Sequence, residues 1–123
     1  MNLFDTSFIV AFVNERDALH GAALSTAFPE GCVNELVLAE SANVISRASK
    51  NFRASAAVIR DVYDRTPLEF LAPDDVRDAM SLFERHSQKL SFNDCALLAQ
   101  ARRLGAGIIT FDEDLKRAAK NAR

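Results

Sequence analysis

At 123 residues the chain is long enough to bury about two thirds of the surface its unfolded form exposes, which suits one domain spanning residues 1–123. Its 49% apolar composition excludes an intrinsically disordered segment, and a net charge of −2 excludes bulk attraction to nucleic acid. Any such binding has to come from local patches or from bound cations.

Two cysteines, Cys32 and Cys95, form neither a metal-binding spacing nor a disulfide framework. The start of the chain reaches Asp5 without a basic region, unlike a signal peptide, and the apolar run 8–13 is too short to cross a bilayer. A cytoplasmic protein is expected. Basic residues gather at Arg47, Lys50 and Arg53, and again at Lys116, Arg117, Lys120 and Arg123, where they read as solvated helix ends.

In chain order, Asn2-Leu3-Phe4 reads as a first strand, followed at once by Asp5-Thr6-Ser7 and the apolar segment 8–13. Strand, capping residues and apolar helix make the βα junction of a parallel sheet. Asp5 then sits at the carboxyl end of the strand, as an N-cap or as a ligand. A second helix is expected over 17–28, stopped by Pro29 and Gly31. Its His20, like His86, lacks a partner at zinc-ligand spacing and reads as a surface or packing residue.

Cys32-Val33 reads as a short strand, with Asn34 capping a helix over 35–49. On that helix Glu40 lies three residues after Val37 and four before Val44, on the apolar side. A glutamate there is either at the rim or paired with a basic group or a metal. The segment 52–64 is amphipathic, with Ala56, Ile59, Val62 and Tyr63 expected inward, and Pro67 ends it. Residues 68–71 read as a strand. Pro73 opens a helix to about Ser87, whose first-turn acids Asp74, Asp75 and Asp78 stabilise it without further role.

Residues 90–115 carry the densest pattern. Ser91, three residues ahead of Asp94, is the signature of a capping box. The stripe Leu90, Leu97, Leu98, Ala101 and Leu104 gives the helix its buried face, and Asp94 stands in register with it. Asp94 is therefore a capping acid or a ligand held at the edge of the core. Gly105 and Gly107 stop the helix, Gly107-Ile108-Ile109-Thr110-Phe111 reads as a buried strand, and a terminal helix begins near Asp112.

In a parallel sheet, strand ends and the helix starts that follow them share one edge, where such folds bind ligands. Asp5, Asp94 and Asp112 converge there on this reading, and Glu40 is the fourth awkwardly placed acid. Charges about 4 Å apart repel by about 4 kcal/mol at an effective dielectric near 20, so the cluster needs protons or a cation. Oxygen ligands favour Mg²⁺ or Mn²⁺ over Zn²⁺. No phosphate-cradling loop, nucleophile elbow or dinucleotide fingerprint accompanies them.

Leu3-Phe4-Asp5-Thr6-Ser7, Glu35-Leu36-Val37-Leu38-Ala39-Glu40, Ser91-Phe92-Asn93-Asp94 and Thr110-Phe111-Asp112-Glu113-Asp114-Leu115 together resemble the successive motifs of the PIN-domain nucleases. Within them the chain is most similar to the VapC-type toxins of toxin–antitoxin pairs. The resemblance implies a three-layer α/β/α domain with a short central parallel sheet flanked by helices, and a Mg²⁺- or Mn²⁺-dependent endoribonuclease. It makes Asp5, Glu40, Asp94 and Asp112 the catalytic, metal-binding acids. Thr6, Ser7, Ser91 and Thr110 match small polar positions that steady acids or phosphate. It also implies an RNA substrate, a small antitoxin that inserts into the acidic groove, and a homodimer. The chain departs from the family at Leu115, where an aromatic residue is common, which leaves Asp112 or Asp114 as the fourth acid; Asp112, nearer the strand, is preferred. The alternatives are a housekeeping RNase, which a neighbouring gene for a small DNA-binding antitoxin would distinguish from a toxin, and a non-catalytic RNA- or protein-binding module on the same fold, against which the retention of all four acids argues.

Overall fold

The computed structural model describes residues 1–25, 30–86 and 88–121. At its centre β1 (Asn2–Phe4) lies between β2 (Gly31–Cys32) and β3 (Gly107–Ile109), all parallel, in the order β2-β1-β3. Leu3 pairs with Cys32 on one side and Ile108 on the other. The Asp5 N–H donates to the Ile109 carbonyl at 3.0 Å, carrying the ladder one residue past β1. Because every strand runs the same way, the residues following them emerge at one edge.

β1 is buried because it is central: Leu3 and Phe4 are wholly covered. The Phe4 ring stacks on Phe8 at 4.9 Å between centroids, and Phe8 meets Phe111 at 6.1 Å, tying α1 (Thr6–Val13) to the segment after β3. A Cβ at Gly31 would overlap the Phe4 ring, so glycine is required for this close approach.

The helices begin and end on chemistry that the sequence displays. Asn34 accepts from the Val37 N–H at 2.8 Å and starts α3 (Glu35–Ser49). Ser91 and Asp94 form a complete capping box on α6 (Phe92–Leu104), and Gly105 ends it in the left-handed region at φ 63°. The α6 stripe is buried through Ala101, with Leu104 half-buried. The last helix, α7 (Glu113–Asn121), starts one residue after Asp112, whose Oδ1 accepts from the Leu115 N–H at 2.9 Å.

Several expectations change in three dimensions. The second helix, α2, covers only His20–Leu24; residues 26–28 of the expected span, and Pro29, lie outside the described residues. Asp17 and Asn14 instead cap a turn, Asp17 Oδ1 accepting from Leu19 N–H at 2.8 Å. His20 packs, its Nδ1 lying 2.7 Å from the Ala11 carbonyl.

Residues 68–71 make one parallel bridge, Leu68 with Val33, rather than a strand. Side chains satisfy the rest of that backbone: Gln100 Nε2 donates to the Glu69 carbonyl at 2.9 Å, and Glu35 accepts from Leu71 N–H at 2.9 Å. With the Glu69 and Leu71 groups taken in this way, the pairing with Val33 does not extend into a ladder. β3 stops at Ile109 because Thr110 turns its hydroxyl to Asp5 and Asp112.

On α4 (Phe52–Arg65) the inward face is Ser55 and Val62, with Val58 and Ile59 half-buried; Ala56 and Tyr63, expected inward, are exposed. The main contact of the helix is with α3, and only the side toward α3 is covered. On α5 (Pro73–His86) Asp75 is 1% exposed and accepts from Arg103 Nε at 2.8 Å and Nη2 at 2.9 Å. Ser87, the expected end of that helix, lies outside the described residues. Burial pushes the Asp75 carboxyl up, but the Arg103 hydrogen bond and the Ala72 N–H outweigh it and hold the group below its ordinary value. This acid pins α5 to α6 and is more than a first-turn charge.

Candidate active site

The parallel edge carries a groove of about 400 Å³ lined by Asp5, Thr6, Ser7, Val10, Asp17, Leu19, Glu40, Val44, Ser91, Asp94 and Asp112. All four acids singled out in the sequence line it. They arrive on separate segments: Asp5 after β1, Glu40 within α3, Asp94 in the first turn of α6, and Asp112 after β3.

Asp5 occupies the N-cap position of α1 but makes no side-chain cap. Its Oδ2 instead accepts from the Thr110 hydroxyl at 2.7 Å and the Ser7 hydroxyl at 3.0 Å. Ser7 also accepts from the Phe111 N–H at 3.0 Å, and Thr110 Oγ1 from the Asp112 N–H at 3.0 Å. These bonds close a net between the ends of β1 and β3 that fixes the Asp5 carboxylate. Asp94 does cap: its Oδ2 accepts from the Ser91 N–H, and Ser91 Oγ from the Asp94 N–H, each at 3.1 Å. Capping and lining the groove are thus compatible roles for one side chain. Glu40 Oε2 stands 3.4 Å from Asn93 Nδ2, which lies beside Asp94.

In each of the four acids one carboxylate oxygen is engaged, and the other makes no hydrogen bond among the described residues. Burial pushes the Asp94 carboxyl up to about 6, repulsion from Asp5 and Asp112 adds to it, and the Ser91 hydrogen bonds pull the other way.

The donor set is all oxygen and negatively charged, which fits a hard divalent cation. Thr6 Oγ1, on the groove wall, is buried without a hydrogen-bond partner among the described residues. The acids do not form a ready-made cage, since no three acidic, histidine or cysteine side chains among the described residues stand close enough to enclose an ion. A site for Mg²⁺ has no need of one, because that ion keeps several waters and takes one or two carboxylates.

Asp114 lies in the first turn of α7, its Oδ1 3.6 Å from Arg117, and it is not among the residues lining the groove. Asp17 and Asn93 are additions that sequence reasoning missed. Asp17 was absorbed into an expected helix, and its Asn-Glu-Arg-Asp surroundings were the turn signal that marked it. Asn93 stands between the capping residues Ser91 and Asp94, and only the approach of α3 gives it a partner.

Comparison with curated protein sequences finds no match. Among solved structures, the chain is similar to VapC20 of Mycobacterium tuberculosis, a sarcin–ricin loop cleaving toxin, at 27% identity and a TM-score of 0.83, covering 96% of this chain and 95% of that one. VapBC2 of Rickettsia felis, bound to a promoter DNA fragment, shares the fold at 18% identity and a TM-score of 0.72, over 94% and 91% of the two chains. VapBC-1 of nontypeable Haemophilus influenzae does so at 16% identity and a TM-score of 0.70, over 98% and 92%. The PIN domain family profile matches residues 3–121, and the chain belongs to the PIN domain family.

Proposed function

We propose that the chain is a Mg²⁺- or Mn²⁺-dependent endoribonuclease acting as the toxin of a VapBC-type pair in the cytoplasm. The observation that carries this reading is the meeting of four acids from four segments in one groove, where burial, with added repulsion from Asp5 and Asp112, raises Asp94 to about 6. Asp5, Glu40, Asp94 and Asp112 would hold the cation between them, one or two directly and the others through its bound waters. Bound there, it would activate water for in-line attack on an RNA phosphodiester and offset the charge that develops on phosphorus.

The chain's own residues prepare the groove. Ser7 and Thr110 aim Asp5, the capping box fixes Asp94 on a rigid helix start, and Asp112 is held by its bond to Leu115 N–H. Ser91 adds a hydroxyl on the wall, available to ordered water or phosphate, while the Thr6 hydroxyl behind the wall is buried. The similarity to a toxin that cleaves the sarcin–ricin loop supports a structured RNA as one substrate to test.

An antitoxin partner is supported by a second cavity of about 580 Å³, lined by Val13, Ile45, Ala48 and Val58 among others. Val10 and Val44 line both it and the acidic groove. An amphipathic segment seated there would carry a basic side chain into the acids. Neighbours of the same fold occur as VapBC complexes.

The test is cleavage of single-stranded RNA and of a stem-loop RNA by the purified chain with Mg²⁺ or Mn²⁺, with EDTA, and with Asp5→Asn. Cleavage that needs metal and is lost in the folded variant is expected. Activity that survives in Asp5→Asn, or that ignores EDTA, overturns the proposal.

A further inference from the structure

From Ser41 to Arg60 the chain carries four cations, Arg47, Lys50, Arg53 and Arg60, and no acid, although acids outnumber cations 17 to 15 in the whole sequence. Three of the four, Arg47, Lys50 and Arg53, lie exposed at the turn that joins α3 to α4. None of these three has an ion-pair partner among the described residues. Phe52 stands between Lys50 and Arg53. At 77% exposure it is the most exposed large apolar side chain among the described residues.

The turn is held from within. Asn51 Oδ1 accepts from the Ala54 N–H at 3.1 Å and Ser49 Oγ from the Asn51 N–H at 3.2 Å, so Phe52 opens α4 on a fixed backbone. Lys50 occupies the left-handed C-cap of α3 at φ 56°, where glycine is favoured, so a cation stands where a bare backbone would serve. A ring left in water forgoes the stabilisation of burial, and unpaired cations around it repel one another. A ligand that relieves both needs a flat apolar face and closely spaced negative charge. Single-stranded nucleic acid has both, because its bases stack on aromatic rings while its backbone pairs with cations.

We propose that the α3–α4 turn is a platform for single-stranded RNA outside the acidic groove, with a base stacked on Phe52 and backbone phosphates paired to Arg47, Lys50 and Arg53. The turn adjoins the cavity lined by Ala48, Ser49, Ala54 and Ser55, which shares Val10 and Val44 with the acidic groove. The rise along α3 from Glu40 to Ser49 is about 14 Å, a span of a few nucleotides. One strand can therefore be held at the turn while a phosphodiester farther along it lies among the acids. The platform supplies what the groove lacks, since the acids repel RNA and attraction has to come from elsewhere on the surface. A segment that brings basic side chains to the acids is repelled at this turn, which sets the platform apart from an antitoxin seat. The inference rests on the RNase reading for the choice of RNA, and binding without cleavage tests it separately.

Fluorescence anisotropy of a short labelled single-stranded RNA in EDTA measures binding by the full chain with no cleavage. A failure there leaves the nuclease reading standing, and a failure of metal-dependent cleavage leaves the platform standing. Binding should weaken about tenfold in Phe52→Ala and in Phe52→Leu, with unchanged circular dichroism spectra because the position is exposed, and should persist in Phe52→Trp. The natural chain has no tryptophan, so the emission of Phe52→Trp reports on this one position and should be quenched as a base stacks on it. Lys50→Gln and Arg53→Gln should each reduce the salt slope of log K by about 0.7. The same strand annealed to its complement should bind wild type and Phe52→Ala alike. No binding by wild type, Phe52→Leu binding as tightly as wild type, or unquenched Phe52→Trp overturns the proposal. So does polyglutamate that displaces the strand as well as unlabelled RNA does, which would assign the surface to an acidic protein.

Discussion

Asp94→Asn tests the cost of placing a half-buried carboxylate beside Asp5 and Asp112, because it removes one charge and keeps an oxygen acceptor for the Ser91 N–H. The gap between the ordinary carboxyl value of 3.8 and about 6 corresponds to about 3 kcal/mol against the ionised form. Screening in a groove open to solvent trims this to about 1–2 kcal/mol. Loss of a negative charge at the start of α6 costs about 0.3–1 kcal/mol. The variant should therefore be about 1 kcal/mol more stable than wild type at pH 7.5.

The sign follows from proton binding. Between the unfolded value of 3.8 and the folded value of about 6, the folded chain holds a proton that the unfolded chain has released. Wild-type stability relative to the variant thus falls as pH rises through this window and stays lower above it. Urea unfolding of both proteins at pH 4 and pH 7.5 should show the variant's advantage only at the higher pH. Saturating Mg²⁺ or Mn²⁺ at pH 7.5 should then stabilise wild type by about 2–3 kcal/mol and the variant much less. A variant equally destabilised at both pH values, or equally stabilised by metal, would refute the reasoning.

Arg103→Met should destabilise by about 3 kcal/mol at pH 7, because it strands the buried Asp75 charge. The Asp75 carboxyl is held low in the folded state, so the ion pair contributes above the ordinary carboxyl range. The gap between wild type and variant should narrow as pH falls below about 4 in thermal unfolding. Gln100→Leu should cost about 2–4 kcal/mol by urea unfolding, since it leaves Asn34 Nδ2 and the Glu69 carbonyl without partners in the interior. Loss of only a few tenths would show that water replaces the amide. Thr110→Val removes the hydroxyl that joins Asp5 to Asp112 N–H. It should lower RNA cleavage at least tenfold for about 1–2 kcal/mol of stability, and full activity would separate the Asp5 net from the chemistry.

What the sequence alone determined rests on interactions between residues close together in the chain. Asn34 and Ser91 start α3 and α6 because the groups they bond lie three residues away. Gly105 ends α6 because a left-handed residue is tolerated there. The four acids were conspicuous because each broke a local pattern, either at a strand end or on an apolar helix face.

Tertiary structure decided what depends on partners remote in the chain. Residues 68–71 had the composition of a strand, but Gln100 and Glu35 claimed their backbone groups. Asp75 looked like a first-turn acid until α6 brought Arg103 against it. Tyr63 had the periodicity of a core residue, yet α3 covers only the neighbouring side of its helix. Asp5 shows the division most clearly. Its place after β1 was legible, but whether it capped α1 or faced the groove was settled by Thr110, 105 residues away. Local bonds are fixed by spacing along the chain, whereas the orientation of a buried carboxylate follows from which hydroxyls the fold carries to it.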